Sequence, residues 1–153
     1  MTAETDRPPV AMASSEIPQV KHVVLRWTGE GLSFRGGKPG GAQVPVDGDS
    51  RHGPSPMDTL LLALAGCMGS DVVAILGKSR VPLTALSVEV EGSRAVSDPR
   101  RYTRIRLVYH LEGPGDEHRT KVQRAVDLSR ETYCSVLHSL RPDIEVEVEV
   151  GGL

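Results

Sequence analysis

Apolar and polar residues alternate in three stretches of the second half of the chain, at residues 86–91, 104–111 and 144–150. A period of two is typical of a β-strand that has one buried and one solvated face. The sequence therefore predicts three half-buried antiparallel strands. Their apolar, inward positions are Leu86, Val88, Val90, Ile105, Leu107, Tyr109, Leu111, Ile144, Val146, Val148 and Val150.

The outward positions of these strands differ in charge. Those of the middle stretch are basic (Arg104, Arg106 and His110), whereas those of the other two stretches include five glutamates. Opposite charges on neighbouring strands contribute roughly 0.2–1 kcal/mol per pair. We therefore expect the basic strand to lie between the two acidic ones, although the hairpin connections alone could set another order.

A different pattern marks residues 56–77, which we predict to form a helix. Ser55 is a suitable N-cap, Pro56 fits the first turn, and Asp58 completes a capping-box pattern. Apolar residues then cover every face from position 60 to position 68. A helix that is hydrophobic all round is buried on all sides, so we expect a central helix that is covered by a sheet or by a second subunit.

The other elements are predicted from shorter signals. Two β-rich runs around a Gly-Glu-Gly turn indicate a hairpin at Val20–Trp27 and Leu32–Arg35, and a short strand is expected at Ala42–Val46. A second helix should begin with Asp116 as its N-cap and end near residues 131–133. Residues 1–19 are predicted to be a polar tail, and residues 20–153 a single domain.

Composition narrows the function classes. A formal net charge of −2 argues against a nucleic-acid or anionic-membrane partner. The longest apolar run, at residues 60–68, is much shorter than the roughly 18 residues that a transmembrane helix requires. The first residues lack the pattern of a secretory signal, so we expect a cytoplasmic protein.

Two cysteines, Cys67 and Cys134, are the clearest candidates for chemistry. Buried cysteines are commonly core residues, and burial suppresses the reactive thiolate. A reactive Cys67 therefore needs a cationic neighbour, for which Arg26, Arg35, Arg51 and His52 are available upstream. Zinc-site spacings, a nucleophile elbow, a phosphate loop and a dinucleotide motif are all missing from the sequence, so no metal or cofactor is expected.

Two segments carry a resemblance to a known family. The segment "GPSPMDTLLLALAGCMGSDVVAIL" resembles the central-helix motif of the OsmC/Ohr family of thiol-dependent hydroperoxide reductases, and "AVDLSRETYCSVLHSL" resembles its second cysteine motif. The resemblance covers roughly residues 21–150 and is strongest to the YhfA-type branch. It implies an α+β fold, with antiparallel sheets around a buried central helix in an intertwined homodimer.

The resemblance also implies roles for the cysteines. Cys67 would attack a small apolar hydroperoxide and become a sulfenic acid, and Cys134 would resolve it to a disulfide. An external thiol or a lipoylated protein would then reduce the disulfide. The alternatives are an OsmC-like protein without peroxidase activity, which binds a small apolar ligand or senses oxidation, and a protein whose two thiols are core residues.

Two positions depart from the family pattern. The peroxidase branch has a glutamate where this chain has Met57, and an arginine in the first hairpin turn, where this chain offers Glu30. The arginine–glutamate pair that activates the thiol is thus missing from its usual positions. Arg26, Arg35 and Arg51 are the candidates to replace it, and Arg35 and Arg51 are the two that we assign to the catalytic site.

Overall fold

The computed structural model describes residues 18–151 of the chain. Most of the predicted tail, residues 1–17, lies outside this range. The described residues form two three-stranded sheets and three helices, and this confirms the α+β class.

The first sheet comes from the N-terminal part of the described chain. Strands β1 (Val24–Trp27), β2 (Ser33–Gly37) and β3 (Val44–Asp47) pair antiparallel in sequential order. The predicted hairpin is confirmed. Its turn contains Gly29 and Gly31 at φ values of 93° and 52°, which glycine adopts without the steric penalty that a Cβ would bring.

Helix α1 (Pro56–Lys78) begins as predicted. The backbone N–H of Asp58 donates to Ser55 Oγ at 3.1 Å, and the backbone N–H of Ser55 donates to Asp58 Oδ2 at 3.1 Å. These reciprocal bonds complete a capping box, which satisfies two backbone donors that the first turn leaves free.

The second sheet has the predicted strand order. Strand β5 (Tyr102–Glu112) lies between β4 (Ala85–Arg94) and β6 (Glu145–Val150). Arg106 connects both neighbours, with Glu149 of β6 at 2.8 Å and Glu91 of β4 at 3.7 Å. The expectation of purely antiparallel pairing is wrong for β6, which runs parallel to β5. Charged and apolar positions alternate along β6 and along residues 104–107 of β5, so the charge pattern fits either direction.

The second helical region is more divided than predicted. A 3₁₀ turn at Asp116–His118 precedes α2 (Arg119–Leu128), and a π-helical turn at Ser129–Tyr133 leads into α3 (Ser135–Ser139). Asp116 is not the N-cap of α2. It lies in the 3₁₀ turn, and the capping position is occupied by His118, which makes no side-chain capping bond.

Helix α1 supplies a large part of the core, but only one of its faces is buried within the chain. Leu64, Met68, Val72 and Leu76 are fully buried. On the other side Leu62 is 59% exposed and Val73 is 48% exposed, so the expected burial on all sides is not met by this chain alone. By length and composition α1 could span a membrane, but a core helix of a soluble protein has the same properties, and this gives no positive evidence for a membrane location.

Candidate active site

The fold brings the two cysteines together. Cys67 lies near the middle of α1, and Cys134 lies between the π-helical turn and α3. Their sulfur atoms and a carboxylate oxygen of Asp71 all lie within 4.8 Å of one another. Residues from two distant parts of the sequence therefore form a single thiol–carboxylate cluster.

Asp71 reaches this cluster because it follows Cys67 by one helical turn. Residues four apart share one face of an α-helix. Its Oδ2 accepts a 2.8 Å hydrogen bond from the buried hydroxyl of Ser129. Since Ser129 belongs to the π-helical turn, this bond joins α1 to the segment that carries Cys134.

Cys134 forms one hydrogen bond with a residue that precedes it in the sequence and one with a residue that follows it. Its backbone N–H donates to the carbonyl oxygen of Ser129 at 2.9 Å, and its Sγ accepts from the backbone N–H of Leu137 at 3.3 Å. The thiol is fully buried, whereas Cys67 is partly exposed. Burial, with a further contribution from a hydrogen bond to Cys67, raises the pKa of Cys134 to about 11, so this thiol keeps its proton at neutral pH.

Tyr109 of β5 completes the buried side of the cluster. Its hydroxyl is buried and has no hydrogen-bond partner within residues 18–151. Burial raises the pKa of Tyr109, and electrostatic interactions with the nearby acidic groups Cys134, Asp71 and Cys67 raise it further. The phenol is therefore a neutral hydrogen-bond donor.

The predicted arginines lie elsewhere in the chain. Arg35 is on β2, where its guanidinium donates to the carbonyl oxygen of Gln43 at 3.3 Å, and Arg51 is exposed in the loop between β3 and α1. Across the part of the chain that the structure describes, no hydrogen bond joins either arginine to a cysteine sulfur. Their catalytic role stays a prediction.

Met57 and Glu30, the two positions that depart from the family pattern, lie at the start of α1 and in the first hairpin turn. The backbone carbonyl of Met57 accepts a 2.9 Å hydrogen bond from the hydroxyl of Tyr102, and Glu30 is exposed in the turn between β1 and β2. The acidic group beside the thiols is thus Asp71, supplied from within α1.

An open apolar groove runs beside the cluster on the exposed face of α1. It has a volume of about 660 Å³ and lies between α1 and β4. Gly66, the neighbour of Cys67, lines it, but Cys67 does not. Its lining is Leu62, Ala65, Gly66, Gly69, Ser70, Val73, Ala74, Leu86 and Val88.

Two thiols and a carboxylate are also donor types that could hold a metal ion such as Zn²⁺. No sequence motif marks this grouping, because zinc motifs are recognised by short ligand spacings and Cys134 meets Cys67 and Asp71 only in the fold. The cluster supplies three donors, one fewer than a closed structural zinc site requires.

Asp71, Ser129 and Tyr109 were not among the predicted site residues. One signal was available for Asp71, because an acidic residue four positions after a cysteine in an apolar helix must share its face. Tyr109 was predicted to point inward, but nothing in its spacing indicated the thiols. Ser129 lies within the second cysteine motif, five residues before Cys134.

Comparison with known proteins gives consistent matches along most of the chain. A family model described as OsmC-like protein matches residues 47–149. Protein YhfA of Escherichia coli (strain K12) is 39% identical over 123 residues, which cover 80% of this chain and 90% of that protein.

Solved structures have the same fold. A hypothetical protein from Aquifex aeolicus VF5 superposes with a TM-score of 0.76 at 27% identity, over 88% of this chain and 96% of that one. The organic hydroperoxide resistance protein OhrB of Bacillus subtilis superposes with a TM-score of 0.59 at 17% identity, over 85% of this chain and 96% of its own. At this low identity the second likeness shows the fold alone.

Proposed function

The chain belongs to the OsmC-like protein family, and from this premise we propose that it is a thiol-dependent hydroperoxide reductase that detoxifies organic peroxides. One observation carries the proposal: the sulfur atoms of Cys67 and Cys134 lie within 4.8 Å of each other. A disulfide needs about 2 Å between its sulfur atoms, so small side-chain movements would close the bond.

The environments of the two thiols support a division of labour. Cys67 is partly exposed and can meet a peroxide, whereas Cys134 is fully buried and keeps its proton. In the proposed first step the Cys67 thiolate attacks a peroxide oxygen, the O–O bond breaks, and the alkoxide leaves as an alcohol after taking up a proton. Cys67 becomes a sulfenic acid, so its sulfur is oxidised and the peroxide is reduced.

Cys134 then closes the cycle within the protein. Its sulfur attacks the sulfenic sulfur of Cys67, a disulfide forms, and water is released. Two equivalents of an external thiol, or a lipoylated protein, would return both cysteines to the reduced state. No resident cofactor is needed, and a reducing cytoplasm would supply the reductant.

A homodimer fits the exposed apolar face of α1. Leu62 and Val73 lie exposed beside the groove between α1 and β4, and a second subunit would cover them. The active site would then lie at the subunit interface, where apolar walls favour a small apolar hydroperoxide. Arg35 or Arg51, from either subunit, remains the candidate for the cation that activates Cys67.

The test is peroxide-dependent thiol consumption with cumene hydroperoxide or t-butyl hydroperoxide. We expect turnover by the wild type, and a rate no higher than the uncatalysed background for Cys67→Ser. Equal rates for the two proteins would sink the proposal. If the wild type turns over, the rates of Arg35→Lys and Arg51→Lys show which guanidinium activates the thiol. Lysine keeps the charge but loses the planar, bidentate geometry, so the variant at the activating position should be slower.

A second candidate function is an OsmC-like protein without peroxidase activity, which binds a small apolar molecule or senses oxidation. It is favoured by the surroundings of the two thiols, since a carboxylate oxygen of Asp71 lies within 4.8 Å of both sulfur atoms and no arginine in residues 18–151 bonds to either sulfur. This function predicts a disulfide that forms under oxidants but supports no turnover with either hydroperoxide.

A further inference from the structure

Asp71 connects the two thiols with an open pocket at the protein surface. Its carboxylate lies within 4.8 Å of both sulfur atoms. The same side chain borders an open pocket of about 430 Å³, which Lys78 and Tyr133 also line. A proton accepted at the thiols could therefore leave through Asp71 without crossing the core.

The proposed resolving step needs such an acceptor. Cys134 keeps its proton because burial raises its pKa to about 11. At neutral pH its thiolate fraction is then on the order of 10⁻⁴, too small for rapid attack without a base. A positioned general base typically contributes about 10²–10⁴-fold to a rate.

We propose that Asp71 accepts the proton of Cys134 as this thiol attacks the oxidised Cys67, an inference that rests on the proposed function. The Cys134 S–H bond breaks, its proton moves to an Asp71 carboxylate oxygen, and its sulfur forms the S–S bond. The S–O bond of the sulfenic acid breaks, and the hydroxide takes the proton from Asp71 and departs as water. Cys134 is oxidised and Cys67 is reduced, so no further oxidant is required.

The hydrogen bonds of Asp71 suit this role. Ser129 donates to Oδ2, which fixes the carboxylate, while Oδ1 has no hydrogen-bond partner in the described part of the chain. The backbone carbonyl oxygen of Ser129 also accepts a hydrogen bond from the backbone N–H of Cys134. One residue therefore orients both the proton acceptor and the attacking thiol.

The neighbouring titratable groups do not replace Asp71. Cys67 on α1 is the electrophile in this step, and Tyr109 from β5 keeps its proton because burial raises its pKa. Lys78 and Tyr133 line the open pocket that Asp71 also borders. Asp71 is therefore the group that lies between the thiol proton and solvent.

The test isolates the attack of Cys134 from peroxide chemistry. Dithionitrobenzoate converts Cys67 to a mixed disulfide and releases one coloured thiolate, and the attack of Cys134 on this disulfide releases a second. The rate of the second release reports the resolving attack even if the protein reduces no peroxide. Failure of this inference is thus distinguishable from failure of the proposed function.

For Asp71→Asn we expect the second release to be about tenfold to hundredfold slower at pH 7, with a rate that increases more steeply with pH than in the wild type. In Asp71→Ala, added acetate should restore part of the rate through the open pocket. A second release as fast as in the wild type at every pH would overturn the inference.

Two control variants separate proton transfer from structural support. Ser129→Ala removes the hydrogen bond but keeps the carboxylate, and Glu131→Gln removes an exposed carboxylate from the same turn. Glu131→Gln should remain close to the wild type, and Ser129→Ala, which loses one orienting bond but keeps the proton acceptor, should slow the second release less than Asp71→Asn does. If Ser129→Ala is as slow as Asp71→Asn and acetate restores nothing, Asp71 is only a structural link.

Should the Asp71 variants fail to fold, the solvent deuterium isotope effect on the rate of the second release in the wild type decides the question. We expect this release to be clearly slower in D₂O than in H₂O. Equal rates in the two solvents would overturn the inference.

Discussion

At the scale of single residues, the two thiols differ in access and in hydrogen bonding. Cys67 is partly exposed on α1, whereas Cys134 is buried and its sulfur caps the first turn of α3 through the N–H of Leu137. Burial suits Cys134 to the resolving role, because a buried thiol is protected from direct oxidation before Cys67 has reacted.

The first prediction concerns Cys134→Ser, which keeps a capping oxygen for α3. Without the second thiol, oxidised Cys67 should advance to sulfinic acid instead of forming a disulfide. Intact-mass measurement after addition of hydroperoxide should show one and then two added oxygen atoms. An unchanged mass, with Cys67 still a free thiol, would contradict its role as the attacking residue.

The second prediction concerns alkaline stability. The pKa of Cys134 is raised from 9.0 to about 11, so the neutral thiol favours the folded state. This contribution is fully present below pH 9 and is lost as the pH rises through about 11. Urea unfolding should show a smaller alkaline loss of stability for Cys134→Ser than for the wild type. Equal losses in the two proteins would mean that Tyr109 or other groups account for the whole effect.

The sequence allowed a prediction of two members of this cluster but not of the others. Cys67 and Cys134 were found because each lies in a recognisable motif. The partnership of Asp71, Ser129 and Tyr109 depends on how α1, the π-helical turn and β5 pack together. The hydrogen bond between Ser129 and Asp71 joins residues 58 positions apart, and such a contact leaves no spacing signal along the chain.

At the scale of elements, the start of α1 fixes the position of Cys67. The capping box at Ser55 and Asp58 sets where the helix begins, and the helical period then sets which face Cys67 and Asp71 share. A cap that fails would loosen the first turn and the loop that carries Arg51.

The third prediction concerns Ser55→Ala. Loss of the capping oxygen should decrease the free energy of unfolding by about 1 kcal/mol. The bonds from Ser55 lower the pKa of Asp58, so their contribution is present above the ordinary carboxyl value and is lost as the pH falls through the folded-state value. Urea unfolding between neutral and acidic pH should therefore show a smaller acid dependence in Ser55→Ala. A variant with unchanged stability and pH dependence would contradict the capping role.

The hydrophobic pattern predicted the elements well but left their directions open. The alternation of residues 144–150 located β6 and its charged face correctly. It did not determine that β6 runs parallel to β5, because Arg106 faces a glutamate in either direction. The 3₁₀ turn before α2 and the π-helical turn after it were also missed, since their boundaries follow from tertiary contacts.

At the scale of the whole molecule, the unexplained feature is the exposed apolar face of α1. The sequence predicted a helix buried on all sides, and the single chain buries one side. Leu62 and Val73 remain accessible beside the groove between α1 and β4. In the proposed homodimer, a second copy of the chain covers this exposed face.

The fourth prediction concerns dimer formation through this face of α1. Val73→Asp places a charge on the exposed face and should convert a dimer to a monomer in solution, because burying an unpaired charge is strongly unfavourable. The matched control is Val96→Asp, at a side chain that is 94% exposed in the turn between β4 and β5. Light scattering coupled to size exclusion measures the mass. A wild-type monomer, or a Val73→Asp dimer, would contradict the proposed assembly.

Peptide mapping after oxidation shows whether Cys67 and Cys134 form one redox pair. Reduced protein is treated with one equivalent of cumene hydroperoxide and digested without reducing agent. We expect a disulfide between the peptides of Cys67 and Cys134, formed as the peroxide is consumed. Two free thiols with the peroxide intact would contradict it.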